Sequence, residues 1–351
     1  MYRSVDLFAG IGGIRLGFDI AFKDLIKTVF VSEWDLKAQE TYRANFQDPV
    51  EIHGDITKIH AREIPDHDIL LAGFPCQAFS LAGHKRGFDD ARGTLFFDVA
   101  RIAEYHKPKV VFCENVKNFV NHDKGRTFKI IKTILNDLGY VVFSKVLNSN
   151  DFGVPQNRER IYIVAFREDI APVSFDFPVG TSSGSRISDI LEENEVSSKY
   201  YLSERYLNSL RAHRRRHESK GNGFGYEIRE NDGIAGAIVC GGMGRERNLV
   251  IDKRLTDFTP VTNKSGPLNN EFVRTMTPRE WARLQGFPDS FKLVVADTHL
   301  YKQLGNSVTV PVIEAIAEHV KAILEGSVIE KPLELARGEQ MNLFGDIYVN
   351  G

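Results

Sequence analysis

Residues 5–13 read VDLFAGIGG, an apolar run that passes directly into closely spaced glycines. The apolar run is typical of a buried β-strand, and glycines let the turn after it approach a ligand closely. A dinucleotide-binding turn has the pattern G-x-G-x-x-G. Gly10 and Gly12 supply its first two glycines, but Arg15 stands at the third position. The turn therefore indicates a ligand without a pyrophosphate group.

Further apolar runs follow in the first half of the chain, at residues 28–34, 68–73, 109–115, 140–147 and 160–166. Amphipathic stretches lie between several of these runs, for example at 94–106 and 126–138. Alternation of strand-like and helix-like runs is typical of βαβ units, in which helices cover a parallel sheet. Such sheets bind ligands at the carboxyl ends of their strands. The sequence thus predicts an α/β fold with its site along one edge of the sheet.

The pattern changes after about residue 170, where the turn-rich segment DFPVGTSSGS (176–185) predicts a linker. A helical pattern resumes at 307–324 and is expected to pack back on the first domain. We therefore divide the chain into a first domain, a smaller irregular domain and a C-terminal tail, at residues 1–185 plus 300–330, 186–299 and 331–351.

The second domain is expected to begin with a short helix. Leu202, Tyr206 and Leu210 mark one face of it, and the cationic run 214–217 ends it. Cations at a helix C-terminus either complement the helix dipole or contact phosphate, and the sequence leaves both open. A glycine-rich, irregular stretch follows at 221–248.

Composition and charge set limits on the class of protein. Of the 351 residues 42% are hydrophobic and 26% are charged, as in ordinary globular proteins. No stretch approaches the roughly 18 apolar residues of a membrane span, and the N-terminus lacks a secretory signal. Cys76, Cys113 and Cys240 have no metal-type or paired spacing, which predicts a cytoplasmic protein without zinc or disulfides. The net charge is −2, but residues 199–273 hold 13 Lys and Arg against 9 acidic residues, a local excess suited to phosphates.

Polar residues stand at successive predicted strand ends. Glu33 and Trp34 end the second strand, and Asp55 follows a short third strand. A carboxylate at the first position can accept both ribose hydroxyls, the indole can stack on adenine, and Asp55 can accept from the adenine amino group. Each residue alone is more often a surface or capping residue. Together the three describe an adenosine site.

A second group of residues offers covalent chemistry at the same edge. In GFPCQAFS (73–80) a Pro-Cys step places Cys76 after the fourth strand. The fifth strand ends at Glu114, and Arg158 and Arg160 precede a further strand. Lone cysteines are usually inert, and arginines often only pair with carboxylates. As a set, the four residues supply a nucleophile, a proton donor and an oxyanion-type stabiliser.

These motifs resemble those of the bacterial DNA cytosine carbon-5 methyltransferases, particularly the short restriction-modification type. The matching stretches occur in family order and at family spacing: DLFAGIGG, GFPCQAFS, RGTLFFDVARI, ENV, QNRERIYIV, RTMTPREWARLQGFP and YKQLGNSV. They cover residues 4–166 and 274–313 densely. The segment between them is where members of the family differ, because it carries target recognition.

The resemblance implies a Rossmann-like S-adenosylmethionine-dependent methyltransferase sheet with a smaller, irregular target-recognition domain. It implies S-adenosylmethionine as cofactor, double-stranded DNA as partner, and a monomer associated with the nucleoid. The cofactor site it implies is lined by Phe8, Gly10, Ile11, Gly12, Glu33, Trp34, Asp55, Ile56, Gly73, Pro75, Asn306 and Ser307.

The resemblance also implies the catalytic roles. Cys76 attacks carbon-6 of cytosine, Glu114 hydrogen-bonds ring nitrogen 3 and the exocyclic amine, and Arg160 holds the base carbonyl. Thiolate addition is chemically useful because it turns carbon-5 into an enamine-like nucleophile. A free thiol with a pKa of about 8.5 needs electropositive help at neutral pH. A stacked duplex hides the target carbon, so the base must flip out.

Three positions in the recognition segment are predicted to contact DNA. Phe224 lies between glycines, at the place where a short relative inserts a side chain into the duplex, although loop packing would also explain it. Arg245 and Arg247 are expected to read guanines, with phosphate contact as the alternative. The family usually has a Thr before an aliphatic residue here, and its hydroxyl contacts phosphate. Ala237 stands in that position, which predicts weaker positioning of the flipped base.

Two other functions remain open for this segment and sheet. A tRNA cytosine methyltransferase of the same fold would have a Cys-Phe-Thr signature, whereas glycines follow Cys240 here. A DNA-binding regulator without catalysis would not need Cys76, Glu114 and Arg160. Transfer of labelled methyl to duplex DNA or to tRNA separates these functions. The recognition sequence itself cannot be read from residues 199–273.

The tail contains one further short motif. Residues 340–344 read QMNLF, which resembles the pentapeptide that docks many bacterial DNA-handling proteins onto the β sliding clamp. Its Gln gives one polar anchor, and Leu343 and Phe344 give an apolar pair for a pocket. The alternative is that this pair packs against the first domain. Polar, turn-prone flanks favour a segment that folds on binding.

Overall fold

The computed structural model describes residues 1–75, 95–181, 184–223, 225–259 and 266–326. Its strands are β1 (Tyr2–Leu7), β2 (Ile26–Ser32), β3 (Ile52–His53), β4 (Ile69–Ala72), β5 (Val110–Val116), β6 (Tyr140–Asn148), β7 (Gln156–Asn157), β8 (Glu159–Arg167), β9 (Ala235–Gly236), β10 (Leu249–Ile251) and β11 (Val273–Thr275). Its α-helices are α1 (Gly13–Phe22), α2 (Leu36–Asn45), α3 (Leu95–His106), α4 (Arg126–Asp137), α5 (Glu204–Glu218), α6 (Pro278–Leu284), α7 (Asp297–Asn306) and α8 (Val310–Leu324).

The central sheet has seven strands in the order β3-β2-β1-β4-β5-β8-β6, and helices cover both of its faces. In β4, Leu70 packs with α3 and α4 on one face, while Leu71 packs with α1 and α8 on the other. In β5, Val111 likewise packs on the face with α3 and α4, and Phe112 packs on the face with α1 and α8. Since successive strand side chains point to opposite faces, a strand buried on both faces is apolar throughout. The predicted α/β fold and its helices at 94–106 and 126–138 are confirmed.

The prediction of a purely parallel sheet is wrong at one strand. Strands β1 to β5 are parallel, but β8 runs antiparallel to both β5 and β6. A parallel neighbour needs a long crossover, usually a helix. The connection from β6 to β8 contains only a short 3₁₀ turn and β7, so the chain reverses direction there. This reversal brings the amino end of β8 beside the carboxyl end of β5.

The helix predicted near residues 202–217 is α5, but its buried face differs from the predicted one. Leu207 and Leu210 are buried against Leu249 and Val273, whereas Tyr206 is half-exposed. Leu202 is buried but precedes the helix, which begins after the Ser203 cap. Because the helical period was counted from Leu202, which lies outside the helix, it predicted Tyr206 as a buried residue where the structure buries Leu207.

The last helix returns to the sheet, as the sequence predicted. A Cβ atom added to Gly17 of α1 would lie 2.6 Å from the Ile313 side chain of α8, so only glycine permits this close contact. The carboxyl end of α7 is thereby held beside the amino end of α1.

Among the described residues no helix is long and apolar enough to cross a membrane.

Candidate active site

The glycine-rich turn after β1 has the backbone conformation that its sequence requires. Gly10 and Gly12 have φ of 57° and 87°, in the left-handed region that favours glycine. Phe8 also has a positive φ, 55°, at the start of the turn. Ile11 is buried, and a Cβ atom on Gly12 would lie 2.3 Å from the ring of Phe46. A Cβ atom on Gly10 would meet nothing within 4 Å, so the turn is open at Gly10, whereas Gly12 is packed against Phe46.

Glu33 stands directly after β2 with its carboxylate fixed by main-chain amides. Its Oε2 accepts from the Gly10 amide at 2.7 Å, and its Oε1 accepts from the Asp35 amide at 2.8 Å. The Gln39 side chain donates to the Glu33 carbonyl at 2.5 Å. Burial raises the pKa of Glu33, and the two amide hydrogen bonds oppose that rise. Each carboxylate oxygen keeps a lone pair for a further donor, as a pair of ribose hydroxyls would require.

The other proposed adenosine ligands lie at neighbouring strand ends. Trp34 is 79% exposed, so its ring face is available for stacking. Asp55 follows β3 and caps a short 3₁₀ turn, accepting from the Thr57 amide at 3.1 Å and the Thr57 hydroxyl at 2.7 Å. These bonds lower its pKa and hold it ionised. Ile56 is buried beside it.

The segment after β4 is anchored to the end of β5. The Asn115 side chain donates to the Phe74 carbonyl at 2.9 Å, and Phe74 is buried. Gly73 is half-buried, and Pro75 is exposed at the end of the described segment. Cys76 lies outside the described residues, immediately after Pro75.

Glu114 and Arg160 meet across the reversed strand pair. Val116 of β5 is opposite Arg160 of β8, which brings Arg160 Nε to 3.3 Å from Glu114 Oε1. Both side chains are mostly buried. Burial raises the pKa of Glu114, although the charges of Arg160 and Arg158 oppose the rise. The raised pKa favours a carboxyl that can retain a proton, as donation to a base would need.

Arg158 lies apart from that pair and binds main-chain carbonyls. It is 2% exposed, and its guanidinium donates to Ile238 at 2.7 Å, Ser307 at 2.6 Å and Gly305 at 3.3 Å. Its Nε has no hydrogen-bond partner among the described residues. Burial lowers its pKa to about 9. The structure thus gives Arg158 a connecting position, whereas it places Arg160 directly on Glu114.

Asn306 and Ser307, predicted from the sequence to line the cofactor site, lie beside the glycine-rich turn. Asn306 ends α7 and is exposed, and Ser307 is half-buried. A Cβ atom on Gly13 would lie 2.8 Å from Ser307 Oγ and 2.9 Å from Val308 Cγ2. Residues 306–307 therefore lie against the glycine-rich turn, although almost 300 residues separate them in sequence.

Comparison with known proteins identifies the family of the chain. The family model for C-5 cytosine-specific DNA methylases matches residues 2–322. The chain belongs to this family. It is 58% identical over 324 residues to the type II methyltransferase M.HpaII of Haemophilus parainfluenzae, across 91% of this chain and 89% of that one. It is 40% identical to the type II methyltransferase M.HhaI of Haemophilus parahaemolyticus, across 92% of this chain and 95% of that one.

Among solved structures, the S. pombe Dnmt2 methyltransferase has a similar fold, with a TM-score of 0.69 at 22% identity. The aligned region covers 93% of this chain and 99% of the Dnmt2 chain. The predicted membership of the restriction-modification type is confirmed. The enzyme is a DNA cytosine-5-methyltransferase that uses S-adenosylmethionine. The alternatives of a tRNA enzyme and of a catalytically inactive regulator are thereby disfavoured.

The DNA-reading candidates of this methylase occupy different surroundings. The guanidinium of exposed Arg245 lies 5.2 Å from the centre of the Tyr301 ring on α7. Arg247 is half-buried in the same turn, and its carbonyl accepts from Arg229 at 3.2 Å. Ala237 follows β9, directly before the carbonyl bound by Arg158. Phe224 lies outside the described residues.

Sequence reasoning missed a buried polar network beneath the glycine-rich turn of the methylase. Tyr42 donates from its hydroxyl to Asp6 at 3.2 Å and accepts from Arg15 at 3.1 Å. Arg15 also pairs with Asp48 and lies over the ring of Phe46 at 4.2 Å. Arg15, which stands at the third glycine position of the dinucleotide-binding pattern, is thus part of this buried network. No local motif identifies this network, because its members come from β1, α1, α2 and the loop that follows.

Asp6 makes the folded methylase sensitive to pH. Burial raises its pKa to about 7, against the opposing effects of Arg15 and Tyr42. Between about pH 4 and pH 7 the folded state therefore holds a proton on Asp6 that the unfolded state has released, so stability falls as pH rises across this range and levels off above it.

We expect Asp6→Asn to reduce this fall in the free energy of unfolding between about pH 4 and pH 7, measured by denaturant titration. Asp137→Asn, on the exposed end of α4, is the control and should leave the slope unchanged. Equal slopes in Asp6→Asn and the parent enzyme would contradict the assignment.

Proposed function

We propose that this methylase acts on a cytosine flipped out of duplex DNA, through a covalent bond between Cys76 and carbon-6 of the base. The observation that supports the proposal best is the meeting of Glu114 and Arg160 at 3.3 Å, on strands that end beside the Phe74–Pro75 segment. Pro75 directly precedes Cys76 in the chain. A nucleophile, a proton donor and a cationic stabiliser then share one edge of the sheet.

The cofactor site is proposed to lie along the adjoining strand ends. The fixed carboxylate of Glu33 fits a ribose, the exposed Trp34 ring fits adenine stacking, and the open glycine main chain fits close approach of the amino acid end. S-adenosylmethionine, when bound, supplies an electrophilic methyl group on a sulfonium. The residues proposed to hold it are Phe8, Gly10, Ile11, Gly12, Glu33, Trp34, Asp55, Ile56, Gly73, Pro75, Asn306 and Ser307.

Cys76, Glu114 and Arg160 are proposed to carry out the covalent steps on the base. The Cys76 thiolate adds to carbon-6, and the electron pair of the 5,6 double bond moves to carbon-5. Carbon-5 forms its bond to the methyl group as the methyl–sulfur bond breaks, which leaves S-adenosylhomocysteine as a neutral thioether. Glu114 in its protonated form donates to nitrogen 3, and Arg160 donates to the base carbonyl, so both offset charge in the ring. A solvent base then takes the carbon-5 proton, the 5,6 double bond re-forms with expulsion of the Cys76 thiolate, and the nitrogen 3 proton returns to Glu114.

A trapped adduct tests the covalent step. With 5-fluorocytosine at the target, fluorine replaces the proton that must leave, so the bond to Cys76 should persist through denaturation. Cys76→Ala should abolish both the adduct and methyl transfer, because no other thiol takes its place. Cys240→Ala, which removes an exposed thiol, is the matched control and should still form the adduct. An adduct or methyl transfer that survives Cys76→Ala would refute the mechanism.

Recognition of duplex DNA is proposed to involve Arg245 and Arg247 at guanines and Phe224 in the space that the flipped base leaves. A bidentate arginine discriminates between bases by about 1–3 kcal/mol, whereas phosphate contacts affect all sequences equally. Exposed Arg245 and half-buried Arg247 share one short turn that is joined to α5 through the Tyr206–Glu246 hydrogen bond of 2.9 Å. This turn could therefore enter a groove as a unit.

Binding to the cognate site and to single-substituted duplexes tests these contacts, once bisulfite sequencing has identified the site. Arg247→Gln should reduce the difference in binding free energy between the cognate duplex and the substituted duplexes by about 1–3 kcal/mol.

Ala237→Thr, by adding a hydroxyl that can donate to phosphate, should strengthen binding equally to all duplexes. Phe224→Ala should weaken matched targets more than mismatched ones, whose bases flip more readily. A uniform loss in Arg247→Gln would indicate phosphate contact, and unchanged affinities in Phe224→Ala would contradict its insertion.

We further propose that residues 340–344 bind the β sliding clamp, which would place methylation behind the replication fork. These residues lie outside the described part of the chain, and the proposal rests on their sequence. A 12-residue peptide spanning them should bind purified clamp in the micromolar range, as is usual for segments that order on binding. Leu343→Ala with Phe344→Ala should remove binding without changing methyl transfer to short oligonucleotides. Absence of peptide binding, or loss of that activity, would instead favour packing on the first domain.

A further inference from the structure

Lys302 links the helix that precedes Asn306 to the helix that follows Glu33. Its ammonium donates to Asp35 Oδ2 at 2.7 Å, across 267 residues of sequence. Asp35 uses its other oxygen to cap α2, accepting from the amides of Lys37 at 2.9 Å and Ala38 at 3.3 Å. One carboxylate thus joins α7 to the amino end of α2.

Asp35 transmits this anchoring to the cofactor site. Its own amide donates to Glu33 Oε1 at 2.8 Å, so the place of the Asp35 main chain sets the place of one carboxylate oxygen. The other oxygen accepts from Gly10 and is set by the glycine-rich turn. Lys302 is therefore two contacts away from the group proposed to bind the ribose.

Gln303, the next residue of α7, strengthens the same junction. Its side chain donates to the Lys37 carbonyl at 2.8 Å and accepts from the Thr41 hydroxyl at 3.0 Å. These bonds fix the position of α7 along α2 and do not depend on charge. Loss of the Lys302 ammonium should therefore change the local charge and the Asp35 position while α7 stays docked.

Charge gives Lys302 a role beyond holding two helices together. Glu33 and Asp35 are carboxylates two residues apart, and the charge of Asp35 is among the causes that raise the pKa of Glu33. The hydrogen bond from Lys302 lowers the pKa of Asp35 and offsets its charge. The pKa of Lys302 is raised in return, first by Asp35 and also by Glu33. Without Lys302, the charge of Asp35 would act on Glu33 without this compensation.

We propose that Lys302, acting through Asp35, is a positioning residue that holds Glu33 ready for the ribose of S-adenosylmethionine. The inference rests on the proposed role of Glu33 and extends it to a residue outside the set proposed to hold the cofactor. The pair is half-exposed, with Lys302 54% and Asp35 24% accessible, so its effect is moderate.

Titration of the full-length enzyme with the reaction product S-adenosylhomocysteine, followed by calorimetry, tests the proposal. Lys302→Met should weaken binding by about two- to fivefold, the range of a partly exposed ion pair. The KM for S-adenosylmethionine should rise by the same factor, while the KM for DNA and kcat at saturating cofactor stay unchanged. Lys302→Arg should restore most of the affinity. Asp35→Asn keeps a capping side chain, and combined with Lys302→Met it should add little further loss.

Lys37→Met is the matched control, because it removes a lysine of α2 whose ammonium pairs with Glu40 at the surface. It should leave product affinity unchanged, and melting temperatures will show that every variant is folded. Unchanged affinity in Lys302→Met, or an equal loss in Lys37→Met, would overturn the inference. Glu33→Gln separates the two proposals. If it does not weaken binding, the role of Glu33 fails; if it does while Lys302→Met does not, only the role of Lys302 fails.

Discussion

The buried guanidinium of Arg158 is the interaction on which the rest of the site depends. It joins the amino end of β8 to the Ile238 carbonyl of the recognition segment and to the Ser307 carbonyl after α7. A buried charge is costly unless it is hydrogen-bonded, and burial already lowers the pKa of Arg158 to about 9. Three segments distant in sequence must therefore converge there for the guanidinium to be stable. This convergence brings the Ser307 carbonyl and the carbonyl of the residue after Ala237 to the same guanidinium.

The reversal of β8 has a comparable effect on the catalytic pair. In a purely parallel sheet, the residues before a strand would lie at the opposite edge from the residues after its neighbour. Because β8 is antiparallel to β5, Arg160 at its start meets Glu114 near the end of β5. Burial of this pair raises the pKa of Glu114 while the arginine limits the rise. The topology thus places a carboxyl with a raised pKa beside a buried guanidinium.

Local sequence was sufficient to predict a feature wherever a single segment contains both the residue pattern and the residues that form the feature. The glycines at residues 10 and 12 lie in the predicted turn after β1, and Glu33 lies directly after its strand. The helices at α3 and α4 follow from their amphipathic period. The recognition segment was harder to predict, since its small core contains few apolar residues and Tyr206 could not be distinguished from Leu207 by period alone.

By itself the sequence determined the α/β class, the order of the motifs, the family and the chemistry available to each side chain, because these depend on residue type and short-range spacing. Only the tertiary structure decided that Arg160 pairs with Glu114 while Arg158 binds carbonyls, although the two arginines are two residues apart. It also decided that Asp6, Tyr42 and Arg15 share one buried network and that Lys302 reaches Asp35. The physical reason is that hydrogen bonds and ion pairs depend on distances of a few ångströms between side chains. Packing of α1, α2, α7 and the sheet sets those distances, and no local pattern of residues encodes them.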